Sequence, residues 1–347
     1  MTPPLRKDFP AGLVVVVTGA SAGVGRAVAT RFARAGAAVG LIARDAEALE
    51  RMKRELAAHG GRVSFRAVDV ADAAAVFAAA ADIESELGPI YLWVNDAMVT
   101  VFSPVSKITP EEFRRVTEVT YLGQVHGSMA ALRHMRRRGR GHIVNIGSAL
   151  AYRGIPLQGA YCGAKSAVRG FTAALRTELE HEKSPIKVSI LELPAMNTPQ
   201  FSWGRTHMGR QPKPMGAIYQ PEVAAEAVFR AARRRPSEYW VGLDTIWTIV
   251  GNMVAPDILD RVLARTAVAR QQTEVAVGAS RKDNLFAPVG PLHATRGHFG
   301  YTAKARALIV DGQAMRAAVV VAGAAAFFVL GAAVAGAAGL ANGRRKR

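Results

Sequence analysis

The chain has 347 residues, is 50% hydrophobic and carries a net charge of +18, which excludes an acidic disordered segment and a fold too small to bury a core. A single cysteine, Cys162, excludes an intrachain disulfide and fits a reducing compartment, and the eight histidines form no metal-binding spacing. The positive charge leaves an anionic membrane, an acidic cofactor or nucleic acid as partners; without a basic stripe interleaved with aromatics, nucleic acid ranks last. In chain order, residues 13–17 predict a buried strand, followed by a glycine-rich loop and a helix over 26–35. Strands are predicted at 37–43, 62–68 and 90–94, alternating with helices at 45–59 and 73–87. Pro110, suited to a first helical position, opens a long helix to about residue 138. A strand at 141–147, a helix at 159–182, a strand at 186–192, a helix at 221–234 and a short strand at 239–242 complete the pattern. Such alternation predicts an α/β fold, a doubly wound, mainly parallel sheet with helices on both faces.

Two motifs sit on this frame. The first is Thr18-Gly19-Ala20-Ser21-Ala22-Gly23-Val24-Gly25, between the first strand and the first helix. Glycines there permit a tight turn and close backbone approach to a pyrophosphate, and the helix N-terminus offers free N–H groups. The second runs from Ser148, at the end of the 141–147 strand, to Tyr161 and Lys165. Tyr161 and Lys165 are four apart and share one helix face. A hydroxyl, a phenol and an ammonium can therefore converge on a carbonyl or alcohol oxygen and move a proton to or from it.

On these two motifs, residues 12–242 resemble the short-chain dehydrogenase/reductase family. The glycine loop matches at Thr18, Gly19, Gly23 and Gly25, and serine, tyrosine and lysine match at Ser148, Tyr161 and Lys165. The resemblance implies a Rossmann-type domain over 1–243 and NADP(H)- or NAD(H)-dependent hydride transfer to or from a small-molecule carbonyl or secondary alcohol, without a metal. It implies roles for Ser148 on the substrate oxygen, for Tyr161 as acid or base, and for Lys165 in lowering the phenol pKa and holding the cofactor ribose. Ser21, Ala22 and Val24 complete the cofactor loop; Asp69 and Val70 flank the adenine; Asn95 and Ala97 belong to a further cofactor motif. The second strand ends Ala43-Arg44, where guanidinium in place of a carboxylate favours a 2′-phosphate, hence NADP(H) over NAD(H); Asp45 follows one residue later and could face the ribose instead.

Several positions depart from the family. Thr120 stands where an asparagine usually holds a water beside the lysine, and is expected to serve the proton relay through its hydroxyl. The Asn-Asn-Ala-Gly run is Asn95-Asp96-Ala97-Met98, Pro194 is followed by Ala195, and Thr198 comes one residue early for the nicotinamide amide. These changes motivate an alternative reading, a cofactor-binding but catalytically weak membrane-associated regulatory or scaffold protein.

Beyond the resemblance, residues 198–220 carry Phe201, Trp203, Met208, Met215 and Tyr219 and are expected to form a substrate lid suited to a lipophilic compound such as a steroid, acyl or isoprenoid. Residues 244–315 form an extension without an assigned role, with a helix around 257–271 and then Gly/Pro-rich coil. In the terminal segment, 316–347, residues 317–341 are uncharged and long enough to span a bilayer, and a basic end, Arg344 to Arg347, follows. The expectation is a cytoplasmic catalytic domain attached to a membrane through 317–341; relatives also suggest a homo-oligomer.

Overall fold

The computed structural model describes residues 12–58 and 60–325. The chain divides into two compact units, with the boundary between Ile309 and Val310. The first begins with β1 (Val14–Thr18), α1 (Gly23–Arg34), β2 (Ala38–Ala43), α2 (Ala46–Ala57), β3 (Val63–Ala67), α3 (Ala73–Leu87) and β4 (Ile90–Asn95). After α4 (Pro110–Thr117) and α5 (Gly123–Arg136) come β5 (His142–Ile146), α6 (Gly159–His181), β6 (Lys187–Glu192), α7 (Pro221–Arg234) and β7 (Glu238–Val241). These seven strands pair in parallel in the order β7-β6-β5-β4-β1-β2-β3, with the order reversing between β1 and β4. The expected doubly wound sheet is present.

The apolar runs are almost continuous because both faces of the sheet are covered. Val15 and Val17 enter one core cluster, with Phe32 of α1 and Phe229 of α7. Val14 and Val16 enter the other, with Ile83 of α3 and Leu175 of α6. Helix starts follow local chemistry. Asp45 accepts the Ala48 N–H at 2.8 Å, and Thr109 and Glu112 form a reciprocal capping box with Pro110 at the first position.

The expected single helix over 110–138 is instead interrupted. Between α4 and α5, residues Glu118–Leu122 form a π-helical turn. At its centre the buried Thr120 hydroxyl donates to Val99 O at 2.8 Å and accepts the Val99 N–H at 3.0 Å, binding the turn to the segment after β4. Wide turns of this kind gather at functional sites, because one extra residue re-aims the next side chain.

The expected lid and extension are more ordered than coil. The lid contains a helical turn at Gln200–Trp203, and its strand Arg210–Pro212 pairs antiparallel with Gln272–Ala276 from the extension. The extension adds α8 (Leu243–Val254), missed in the sequence, and α9 (Pro256–Arg270), which was expected. Short strands and an unforeseen helix arise here because the pairing partners lie about sixty residues apart.

In the second unit, residues 312–325 are helical, begun by Asp311, whose side chain accepts the N–H groups of Gln313 and Ala314. Among the described residues no helix is long and apolar enough to cross a membrane. Most of the expected membrane segment, from residue 326 onward, and the basic end lie outside the described residues.

Candidate active site

A cavity of about 580 Å³ opens at the carboxyl ends of the strands, at the point where the strand order reverses. One part of its wall is the glycine loop, with Gly19, Ser21, Ala22, Gly23 and Val24. Only glycine fits this turn. Gly19 has φ +69°, and a Cβ at Gly25 would lie 2.4 Å from Gly19 O. Helix α1 starts at Gly23, after Ala22, without a side-chain cap, and its first N–H, that of Gly23, donates to Ala294 O at 2.9 Å. Thr18 stays behind the wall, where its hydroxyl accepts the N–H groups of Asp96 and Ala97 at 3.1 and 3.2 Å and so ties the end of β1 to the end of β4.

The opposite part of the wall holds Ser148, Tyr161 and Lys165. Ser148 sits just past β5, fixed by its own N–H, which donates to Glu192 Oε2 at 2.6 Å. The Tyr161 hydroxyl is hydrogen-bonded to Ser148. One helical turn on, the Lys165 ammonium lies 5.7 Å from the Tyr161 ring centre and donates to Ile146 O at 2.7 Å. The three groups therefore meet, as their spacing implied.

Their electrostatics were not legible. Burial pushes the Tyr161 phenol above its ordinary range, and this outweighs the hydrogen bond from Ser148 that pulls it down. Desolvation is the largest single effect on the phenol in this structure. Lys165 is lowered to about 8, by burial first, against the charges of Asp96 and Glu192. Burial likewise raises Asp96 to about 7 and Glu192 to about 8. Two carboxyls and one ammonium consequently compete for protons around the phenol near neutral pH.

Asp96 and Glu192 are site residues that the motifs did not single out. Asp96 had appeared only as a departure from the family; here its carboxylate accepts the Gly25 N–H and pins the glycine loop. Glu192, at the end of β6, could have been suspected from a carboxylate following the apolar pair Ile190-Leu191 in a buried strand.

The remaining candidates divide. Arg44, Asp69, Val70, Ala97, Pro194 and Thr198 all line the cavity. Asp69 pairs with Arg115 and accepts the Ala71 N–H at 3.0 Å. The Thr198 methyl packs so closely on Gly23 that a Cβ there would meet it at 3.1 Å. Thr18, Gly25, Asn95 and Thr120 are not in the wall. Asn95 is the hub of a buried network, donating to Gln124 O, Ser128 Oγ and Asn145 Oδ1 and accepting from Trp93 Nε1. Thr120 spends both hydrogen-bonding roles on Val99. Both act on the site through the backbone they hold.

Residues 198–220 supply Phe201, Trp203 and Met215 to the cavity, whereas Met208 packs in a small cluster with Phe102 and Phe299, and Tyr219 belongs to the main core. The extension closes the rest. Asp244, Trp247 and Thr248 of α8 enter the wall, and so do Asn284, Val289 and His293 from the coil beyond α9. Backbone carbonyls of that coil take N–H donors from the nucleotide end: Ala294 O accepts from Gly23 at 2.9 Å, and Leu285 O accepts from Arg44 at 3.3 Å and from Arg115 at 3.0 Å. Among the described residues no group of three or more metal-ligating side chains occurs.

The residues present fit a dinucleotide: a loop that admits no Cβ at Gly19 or Gly25 and a guanidinium at the end of β2 share one cavity with Tyr161 and Lys165.

Comparison with known proteins agrees. Residues 13–207 match the short chain dehydrogenase family. The uncharacterized oxidoreductase YxnA of Bacillus subtilis (strain 168) is 32% identical over 263 residues, 75% of this chain and 74% of that protein. A fatty acyl-CoA reductase of Acinetobacter baylyi is 28% identical over 277 residues, 79% of this chain and 91% of that one. Among solved structures, a metagenomic short-chain oxidoreductase in complex with NADP superimposes with a TM-score of 0.55 at 28% identity, covering 64% of this chain and 91% of that chain. The family match spans more than half of the chain and includes both the glycine loop and the serine, tyrosine and lysine, so this protein belongs to the short-chain dehydrogenase/reductase family of oxidoreductases.

Proposed function

We propose that the cavity binds NADP(H) and that the enzyme interconverts a carbonyl and a secondary alcohol on an apolar substrate. The observation that carries this reading is the convergence of Ser148, Tyr161 and Lys165 on the cavity that also holds the glycine loop and Arg44. When bound, the nicotinamide supplies or accepts the hydride.

The protein's own residues handle the oxygen and its proton. The Ser148 hydroxyl donates to the substrate oxygen and steadies the negative charge that develops there. Tyr161 passes its phenolic proton to that oxygen in reduction and receives it back in oxidation. Lys165 is the nearest cation able to favour the phenolate. The charges of Asp96 and Glu192 favour the ammonium form of Lys165 against the effect of burial. Loop residues Ser21 and Val24 present backbone to the pyrophosphate, and Arg44 presents a guanidinium to a 2′-phosphate.

Support for an apolar substrate comes from the wall itself, which includes Met98, Leu150, Phe201, Met215 and Trp247. One relative is named for a fatty acyl substrate. The intact serine, tyrosine and lysine favour catalysis over a regulatory or scaffold role. Membrane contact through 317–341 is part of the proposal, supported by the uncharged run and the basic residues after it. Co-sedimentation of the full chain with anionic vesicles tests that part; a chain left wholly in the supernatant refutes it.

The chemistry is tested by NADPH consumption with a graded panel of ketones and aldehydes, from short hydrophilic to long apolar. Turnover rising with apolar length supports the proposal. Activity confined to small hydrophilic sugars would sink the apolar substrate, and no turnover across the panel would sink the enzymatic reading.

A further inference from the structure

The notable feature at the adenosine end of the cleft is a histidine from the far end of the fold. His293 lies in the coil after α9, and its side chain is only 7% exposed. It forms part of the cavity wall with Ser21, Arg44 and Asp45. Neither ring nitrogen has a hydrogen-bond partner of good geometry, although Nε2 is 3.2 Å from Asp45 Oδ2. The ring is thus held against the Asp45 carboxylate at the cavity wall, with neither nitrogen fixed by a well-formed hydrogen bond.

The position says which part of a ligand this ring would meet. Asp45 lies two residues past the end of β2, after Arg44, in the turn that borders the ribose 2′-position. A carboxylate there suits a 2′-hydroxyl and repels a 2′-phosphate. Its other oxygen, Oδ1, is committed to the Ala48 N–H as the cap of α2, so the carboxylate is held in place. Resting on the proposed NADP(H) reading, we infer that His293 is the extension's contribution to the cofactor site: it offsets Asp45 and, with Arg44, takes the 2′-phosphate of the dinucleotide.

Surrounding contacts hold the ring there. Its carbonyl accepts from Arg26 Nη1 at 3.3 Å, and its ring packs 5.1 Å from that of Trp203. Burial lowers the imidazole pKa, opposed by Asp45 and by the Ser21 backbone and assisted by Arg51 and Arg26. An arriving phosphate dianion adds a second negative partner and favours the protonated ring. The guanidinium of Arg44 is oriented by the Leu285 and Asn284 carbonyls, so both side chains of this pocket depend on the same coil.

The test is equilibrium binding to the purified full chain, without turnover, using NADPH, NADH, 2′,5′-ADP and 5′-ADP. His293→Leu is expected to weaken NADPH and 2′,5′-ADP by about ten-fold or more, the scale of a lost charge-assisted hydrogen bond, with NADH and 5′-ADP within about two-fold. Asp45→Asn, which can still cap α2, should tighten NADPH in the His293→Leu background. His293→Gln serves if the leucine variant does not fold. Unchanged NADPH binding, or equal losses for both dinucleotides, overturns the inference while leaving the function intact. Failure of the unaltered protein to bind any dinucleotide instead overturns the proposed function.

Discussion

The wall that carries Ser148, Tyr161 and Lys165 and the wall that carries Asn284, Val289 and His293 face one cavity and are assembled in different ways. The first comes from one strand end and one helix, β5 and α6, which the sheet and its helices clamp from both faces. Its geometry follows from the pitch of a helix and the direction of a strand. The second comes from coil held by backbone carbonyls, by the buried Leu285 side chain, and by arginines on other elements. A substitution in the first wall should therefore show in chemistry, and one in the second in binding and in the stability of the closed cleft.

Four measurements would sharpen or break that contrast. The largest effect is expected from Tyr161→Phe, which removes the proton donor and should lower kcat by about 10³-fold or more while NADPH binding stays within a few-fold. Retained turnover would refute the role given to Tyr161. Leu285→Ala removes a fully buried anchor of the second wall. It should cost about 2–4 kcal/mol in denaturant unfolding and raise the protease sensitivity of 283–299; a loss below about 1 kcal/mol would mean the coil is not held by its side chain.

Thr120→Val is predicted to have a smaller effect, about 1–2 kcal/mol of stability, since it strands the Val99 N–H and carbonyl in the core. If Thr120 instead relayed protons, kcat would fall with stability unchanged. The smallest signal is a slope. Asp96 is raised from 3.8 to about 7 by burial, so the folded state holds its proton more tightly than the unfolded state does. Its contribution to stability is complete below 3.8 and is lost as pH rises through about 7. Asp96→Asn should flatten the unfolding free energy over that window, and an unchanged slope would show that the carboxyl is ionised throughout.

The parallel order of strands, the glycine loop and the serine, tyrosine and lysine were legible because each depends on neighbours in sequence. Alternating valines in β1 already divide between two cores, and Tyr161 and Lys165 share a helix face at any α-helical site. Legibility ended where a residue's role depends on what packs against it. Asn95 and Thr120 match or replace family positions, yet the fold turns both toward the core and away from the cavity. Asp96 looked like a defect and became the clamp on Gly25. Helix α8 and the coil around His293 carried no motif to read.

The sequence alone determined that a dinucleotide fold would bring a phenol and an ammonium to the end of a parallel strand, because helix pitch and strand alternation are local. Only the tertiary structure decided how tightly those groups hold their protons, since that depends on the water that distant segments exclude. It also decided that residues near 290 reach the end of β2, a contact across about 250 positions that no local pattern encodes.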